Sequence, residues 1–164
     1  MLETALAKIA IIICGAPAEA TLTVRAIKTT TANGSYSIYL VVDGAEPAEA
    51  WNRAAAMRTE PWLLFLEAGS TPLAPHWLEV LLLRCPNPGA VCGHILGAGS
   101  SWLPMLTPRS TFDLLGGFDA ERFAQREFQT DYLNRLAGMG YSSEDVPECE
   151  FLAGSTQLRQ NVAG

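Results

Sequence analysis

Apolar residues along this chain fall into short unbroken runs, separated by stretches with helical spacing. Lys8–Cys14 is a continuous, mostly β-branched run stopped by Gly15, the pattern of a central strand covered on both faces. After Pro17, Glu19–Thr31 spaces Leu22, Ile27 and small side chains roughly as a helix does, and Thr29–Thr31 with Asn33-Gly34 marks a stop and a turn. Ser37–Val42 reads as a second strand running into Asp43-Gly44. Pro47, flanked by Glu46 and Glu49, opens a helix through about Arg58. Trp62–Leu66 is the most compact apolar run, and it ends in Glu67 followed by Gly69-Ser70. In open α/β sheets the ligand sits beyond the carboxyl ends of the strands, and Glu67 occupies such an end.

The second half is more broken. His76–Leu83 places Trp77, Leu78, Leu81 and Leu82 on one helical face, and Gly89–Leu96 reads as a strand. A loop leads to a short strand near Trp102–Thr107. Pro108-Arg109 begin a short helix to Leu115, stopped by Gly116-Gly117. Glu127–Met139 is a helix with Gly140 as its stop. Tyr141–Val146 reads as a last short strand, with residues 148–164 a loosely held tail. Alternating strands and helices in the first half predict an α/β three-layer sandwich with a mostly parallel central sheet, in one compact domain over residues 1–147.

Composition narrows the function classes. The 164 residues suffice for one well-buried core, and 49% hydrophobic with 17% charged residues suits a soluble globular chain. The net charge is −6 and the Lys and Arg residues are scattered, which argues against nucleic acid as a partner. No apolar stretch approaches the roughly 20 residues of a membrane span, and the first residues do not resemble a signal peptide, so a cytoplasmic location is expected. Cys14, Cys85, Cys92 and Cys149 show no C-x-x-C spacing and are expected to be free thiols rather than zinc ligands. His76 and His94 read as structural.

Four stretches taken in order carry a resemblance. "KIAIIICGAP", "IYLVVDGAEP", "WNRAAAMRTEPWLLFLEAGSTPLAPHWLEVLL" and "LLGGFDAERF…QTDYLNRLAGMGYSSEDVP" resemble successive motifs of the family-two glycosyltransferases, the inverting enzymes of GT-A fold. The last, with its Gly-Gly-Phe-Asp loop, is the most specific. The resemblance implies a nucleotide-diphospho-sugar transferase-like fold, a nucleotide-sugar donor, a hydroxyl acceptor of unknown identity and a divalent cation, Mn²⁺ or Mg²⁺. It places Asp43, Asn52, Glu67 and Arg135 at the nucleotide sugar, Glu67 also at the metal, and Glu127 or Asp131 as catalytic base.

The chain departs from the family where the chemistry lies. The D-x-D turn reads Glu67-Ala68-Gly69, so the second acid is gone. The positions of the Glu-Asp pair that supplies the base read Phe128-Gln129, neither of which takes a proton near neutral pH. Glu127 and Asp131 share a helical face at i, i+4 and are the acids that remain. Asp43 is the one acid left of an Asp-Asp-Gly-Ser turn. Between Gly44 and Asn52 the chain has seven residues where the family carries a further strand and helix. Arg53, Arg109 and Arg135 are candidates for bidentate phosphate contacts. Two readings stand at this stage: a sugar transferase, or a catalytically inactive homologue that binds nucleotide sugars or another protein. An exposed apolar patch where the missing segment packs in the family points to a homodimer or a larger partner.

Overall fold

The computed structural model describes residues 8–32, 35–97, 102–123 and 127–153. The expected Asn33-Gly34 turn and the tail beyond Ala153 lie outside them. Its elements are β1 (Lys8–Cys14), α1 (Pro17–Thr30), β2 (Ser35–Val41), α2 (Pro47–Ala56), β3 (Trp62–Glu67), β4 (Ser70–Pro72), α3 (Trp77–Arg84), β5 (Gly89–Leu96), β6 (Met105–Pro108), α4 (Arg109–Leu115), α5 (Phe128–Gly138) and β7 (Ser142–Ala153). No helix among the described residues is long and apolar enough to cross a membrane.

The strands form one sheet in the order β2-β1-β3-β6-β5-β7-β4. Side chains alternate across β1 and β3, which separates two cores. Ala10, Ile12, Leu63 and Phe65 face Trp51 of α2, Phe112 of α4 and Phe128 of α5. Ile9, Ile11, Ile13, Leu64 and Leu66 face Ala20 and Ile27 of α1 and Trp77, Leu78 and Leu81 of α3. The result is three layers, with helices on both sides of the sheet.

The expectation of a mostly parallel sheet is corrected. β1 pairs in parallel with β2 and β3, but β6 lies antiparallel between β3 and β5, and β7 runs parallel to β5 and antiparallel to β4. The reason lies in the connections. Helices α1 and α2 carry the chain back for parallel pairing, whereas β5 ends at Leu96 and β6 begins at Met105, a short separation that suits antiparallel neighbours.

The last strand also differs, running to Ala153 rather than stopping at Val146. Its register on β5 shifts between Cys92 and His94, so that Gly93 alone faces Val146–Cys149. This irregularity absorbs Pro147 and returns Cys149, Phe151 and Ala153 to buried positions.

Candidate functional site

The carboxyl ends of β1, β2 and β3 are tied to one another by backbone hydrogen bonds. The Gly15 N–H donates to Val41 O at 3.2 Å, and the Ala68 N–H to Cys14 O at 2.9 Å. A Cβ on Gly15, whose φ is +148°, would lie 2.6 Å from Ala68 Cβ, so only glycine lets the two chain segments approach this closely. The Gly69 N–H donates to Thr23 Oγ1 at 2.8 Å, which fixes the Glu67-Ala68-Gly69 turn to buried Thr23 of α1.

Two of the acids flank the end of β1, Asp43 just after β2 on one side and Glu67 at the end of β3 on the other. Asp43 accepts the Ala45 N–H on Oδ1 at 3.0 Å and Arg53 Nη2 on Oδ2 at 2.7 Å. The Ala45 N–H, and after it Arg53, hold the Asp43 carboxyl below its ordinary value. Glu67 ends β3 directly opposite Cys14 in the β1–β3 register. Burial pushes the Cys14 thiol up to about 11, with Asp43 and Glu67 adding to the rise and Arg53 opposing it. Asp43, Glu67 and Arg53 therefore all lie within electrostatic reach of one sulfur.

Asn52 is engaged elsewhere. Its Nδ2 donates to Phe118 O at 2.8 Å, and its Oδ1 accepts the Phe118 N–H at 2.9 Å. The pair holds the Gly116–Asp119 loop against α2, and Gly117 at φ +75° packs where a Cβ would come 2.7 Å from Asn52 Oδ1. Arg135 donates through Nε to Asp131 Oδ2, through Nη1 to Leu115 O and through Nη2 to Gly117 O, capping α4 from below. Asn52, Arg135 and Asp119 line a cavity of about 390 Å³ that does not include Asp43 or Glu67.

The start of α5 holds the remaining candidates. Phe128 is fully buried among Trp51, Trp102 and Phe118, with ring centroids 5.1–5.7 Å away. Gln129 donates to Leu103 O at 2.8 Å and accepts the Leu103 N–H at 3.0 Å, pinning the approach to β6. Glu127 precedes the helix in the left-handed region at φ 66°, with an exposed side chain. Asp131 sits one turn on, held by Arg135. Arg109 lies at the other end of β3, donating to Glu60 O and Ala55 O. The structure thus sets Asp43 and Glu67 on either side of the β1 end, and Asn52 and Arg135 on one cavity. Sequence reasoning missed Cys14 as the residue between them, although a thiol just before a strand-ending glycine was visible. It had no signal for the Gln129–Leu103 pairing.

Neither a protein-family pattern nor a curated protein sequence matches the chain. Solved structures do. The catalytic domain of Drosophila β1,4-galactosyltransferase 7, in complex with xylobiose, superposes with a TM-score of 0.67 at 14% identity over 84% of this chain. The fold is that of the GT-A glycosyltransferases. The mannosyltransferase PcManGT from Pyrobaculum calidifontis, bound to GDP-Man and Mn²⁺, matches with a TM-score of 0.63 at 14% identity over 89% of this chain. Glucosyl-3-phosphoglycerate synthase from Mycobacterium tuberculosis matches at 0.57 and 15% identity over 89% of this chain and 73% of its own. The chain spans 64% of the galactosyltransferase domain and 56% of the mannosyltransferase. At these identities the likeness establishes the GT-A fold and leaves activity to the site.

Proposed function

We propose that this is a glycosyltransferase-like protein that binds a nucleotide sugar at the carboxyl ends of β1, β2 and β3. The position of Asp43 and Glu67 on either side of the β1 end at Cys14 carries this reading. It sets two carboxylates beyond the ends of three parallel strands, the ligand position of open α/β sheets. The solved GT-A proteins include one bound to manganese and UDP-Gal and one bound to GDP-Man and Mn²⁺. On this reading Asp43 takes the hydroxyls or base of a nucleoside, and Arg53, paired with it at 2.7 Å, a phosphate.

On this reading Glu67 is the carboxylate that would hold Mg²⁺ or Mn²⁺, and the cation would supply neutralising charge to a diphosphate. Gly69 brings no second acid. Among the described residues no group of three or more His, Cys, Asp or Glu side chains is arranged to hold a metal. A cation here depends on the nucleotide for most of its ligands, and Mn²⁺ alone is expected to show no binding by calorimetry while Mn²⁺ with UDP or GDP does.

One observation favours a second reading, transfer of the sugar to a hydroxyl acceptor. Glu127 is a non-glycine residue at positive φ, a conformation that costs about 1–3 kcal/mol and gathers at functional sites. On that reading Glu127 is the base, and Asp131 with Arg135 steadies the helix behind it. Turnover of UDP- and GDP-sugars in the wild type and in Glu127→Gln separates the two. Nucleotide binding without turnover supports the binding reading. Turnover that Glu127→Gln lowers by about 10²–10⁴ supports transfer. Neither binding nor turnover sinks both.

A further inference from the structure

β5 and β7 finish at the same end of the sheet as β1 and β3. β6 runs antiparallel to both β3 and β5, so β3 and β5 point the same way, and β7 is parallel to β5. The register also sets their levels. Met105 of β6 pairs with Phe65 on one side and with Cys92 on the other. Glu67 and His94 each follow two residues later, which puts them at one level. They share a face as well. Leu66 and Ile95 pack with α1 and α3, so Glu67 and His94 turn to the opposite side, where Cys14 and Phe65 lie.

Glu150 joins this row through the irregularity at Gly93. Cys92 pairs with Asp145 but His94 with Glu150, so β5 advances two residues, 92 to 94, while β7 advances five, 145 to 150. The excess of three, an odd number, changes the face that each later β7 side chain takes. Phe151 enters the core beside α1 and α3, and Glu150 therefore stands on the other face, next to His94. Glycine suits position 93, where a Cβ would come 3.1 Å from Cys149 O and 3.2 Å from Phe151 Cε1. The Leu73 N–H donates to Glu150 O at 3.1 Å and holds β7 from its other side. His94 is exposed and Glu150 half-buried, so both are open to a ligand.

We propose, resting on nucleotide-sugar binding at this end of the sheet, that the sugar lies across this face between Glu67 and the His94–Glu150 pair, and that His94 and Glu150 select it. With β6 between them, the lines of β3 and β5 lie about 10 Å apart, twice the inter-strand spacing. Hydrogen bonds of about 2.8 Å from each side leave room between them for a single sugar ring. An imidazole N–H donates and a carboxylate accepts, and adjacent sugar hydroxyls supply a partner for each. A site that bonds a hydroxyl in one orientation disfavours the epimer that points it elsewhere, because its own polar groups then lose their partners.

Calorimetric titration of the wild type, His94→Ala and Glu150→Gln with UDP, GDP, UDP-glucose, UDP-galactose and GDP-mannose tests the proposal. Thermal melting shows which variants fold, and either one that folds suffices. The expected result is unchanged affinity for UDP or GDP, with about a tenfold loss for the preferred nucleotide sugar and weaker discrimination among the sugars. Nucleotide sugars that bind the folded variants as they bind the wild type overturn the proposal and leave nucleotide binding standing. So does a sugar that adds nothing to the affinity of UDP or GDP, or a loss that is equal for the nucleotide alone. If none of the five binds the wild type, the proposal and the nucleotide-sugar reading fall together.

Discussion

Both ends of the Asn52 amide are held by the backbone of Phe118, at 2.8 and 2.9 Å. A side chain so engaged keeps a loop in place, and its loss leaves a backbone N–H and C=O without partners. Such groups cost about 1–3 kcal/mol when buried. Asn52→Ala is therefore expected to lower the urea midpoint by that order, and Asn52→Asp, which keeps only the acceptor, to recover part of the loss. The cysteines give a second prediction at this scale. Burial pushes the thiols of Cys85, Cys92 and Cys149 up to about 12 and that of Cys14 to about 11. The thiolate is the reactive form, so at pH 8 the native chain should react with a disulfide reagent about a hundredfold or more slower than the unfolded chain. Fast titration of Cys14 in the native state would show that the β1–β3 end is more open than described.

At the scale of elements, the segment joining α2 to β3 is fastened by Glu60. Burial raises the Glu60 pKa, but this is outweighed by the Tyr39 O–H, the Glu60 and Thr59 N–H groups and Arg58, so the carboxyl sits below its ordinary 4.5. A folded-state value below the unfolded one means stability that is present above pH 4.5 and lost as pH falls through the folded value. Wild type should therefore lose more stability between pH 6 and 3 than Glu60→Gln, measured by urea unfolding at each pH; parallel losses would contradict the assignment. Arg109 works beside it, closing the α2 carboxyl end through Ala55 O and holding Glu60 O. Arg109→Lys, which lacks the planar fork, should cost about 1–3 kcal/mol in the same measurement.

Elements were legible where packing is two-sided. β1 matches the apolar run Lys8–Cys14 residue for residue, because a buried central strand writes itself as an unbroken run, and β5 matches the strand expected over Gly89–Leu96. β4 went unseen, since three residues including Pro72 carry no period. The second half of β7 was hidden by Pro147 and the acids Glu148 and Glu150, although Cys149, Phe151 and Ala153 do alternate inward. The antiparallel place of β6 was out of reach of local pattern, because it depends on which neighbour a four-residue strand finds. The site was read less completely. Asp43 and Glu67 could be placed at strand ends from the runs before them. The partners of Asn52, Gln129 and Arg135 could not, because each is a backbone group on a distant segment.

The whole molecule has a GT-A fold, and its activity is argued from the site. An aromatic block of Trp51, Trp102, Phe118 and Phe128 and the Gln129–Leu103 pairing occupy the side where the resemblance sets a base. The strand ends at Asp43 and Glu67 retain acids. The account therefore separates donor binding from transfer. The measurement that tests it most directly is a calorimetric titration of the chain, and of Asp43→Asn and Glu67→Gln, with UDP, GDP and their sugars, with and without Mn²⁺. The account predicts micromolar binding to at least one nucleotide sugar, weakened by about tenfold or more in either variant, with the Mn²⁺ dependence lost in Glu67→Gln. No binding to any of them, or binding that neither variant changes, would contradict it.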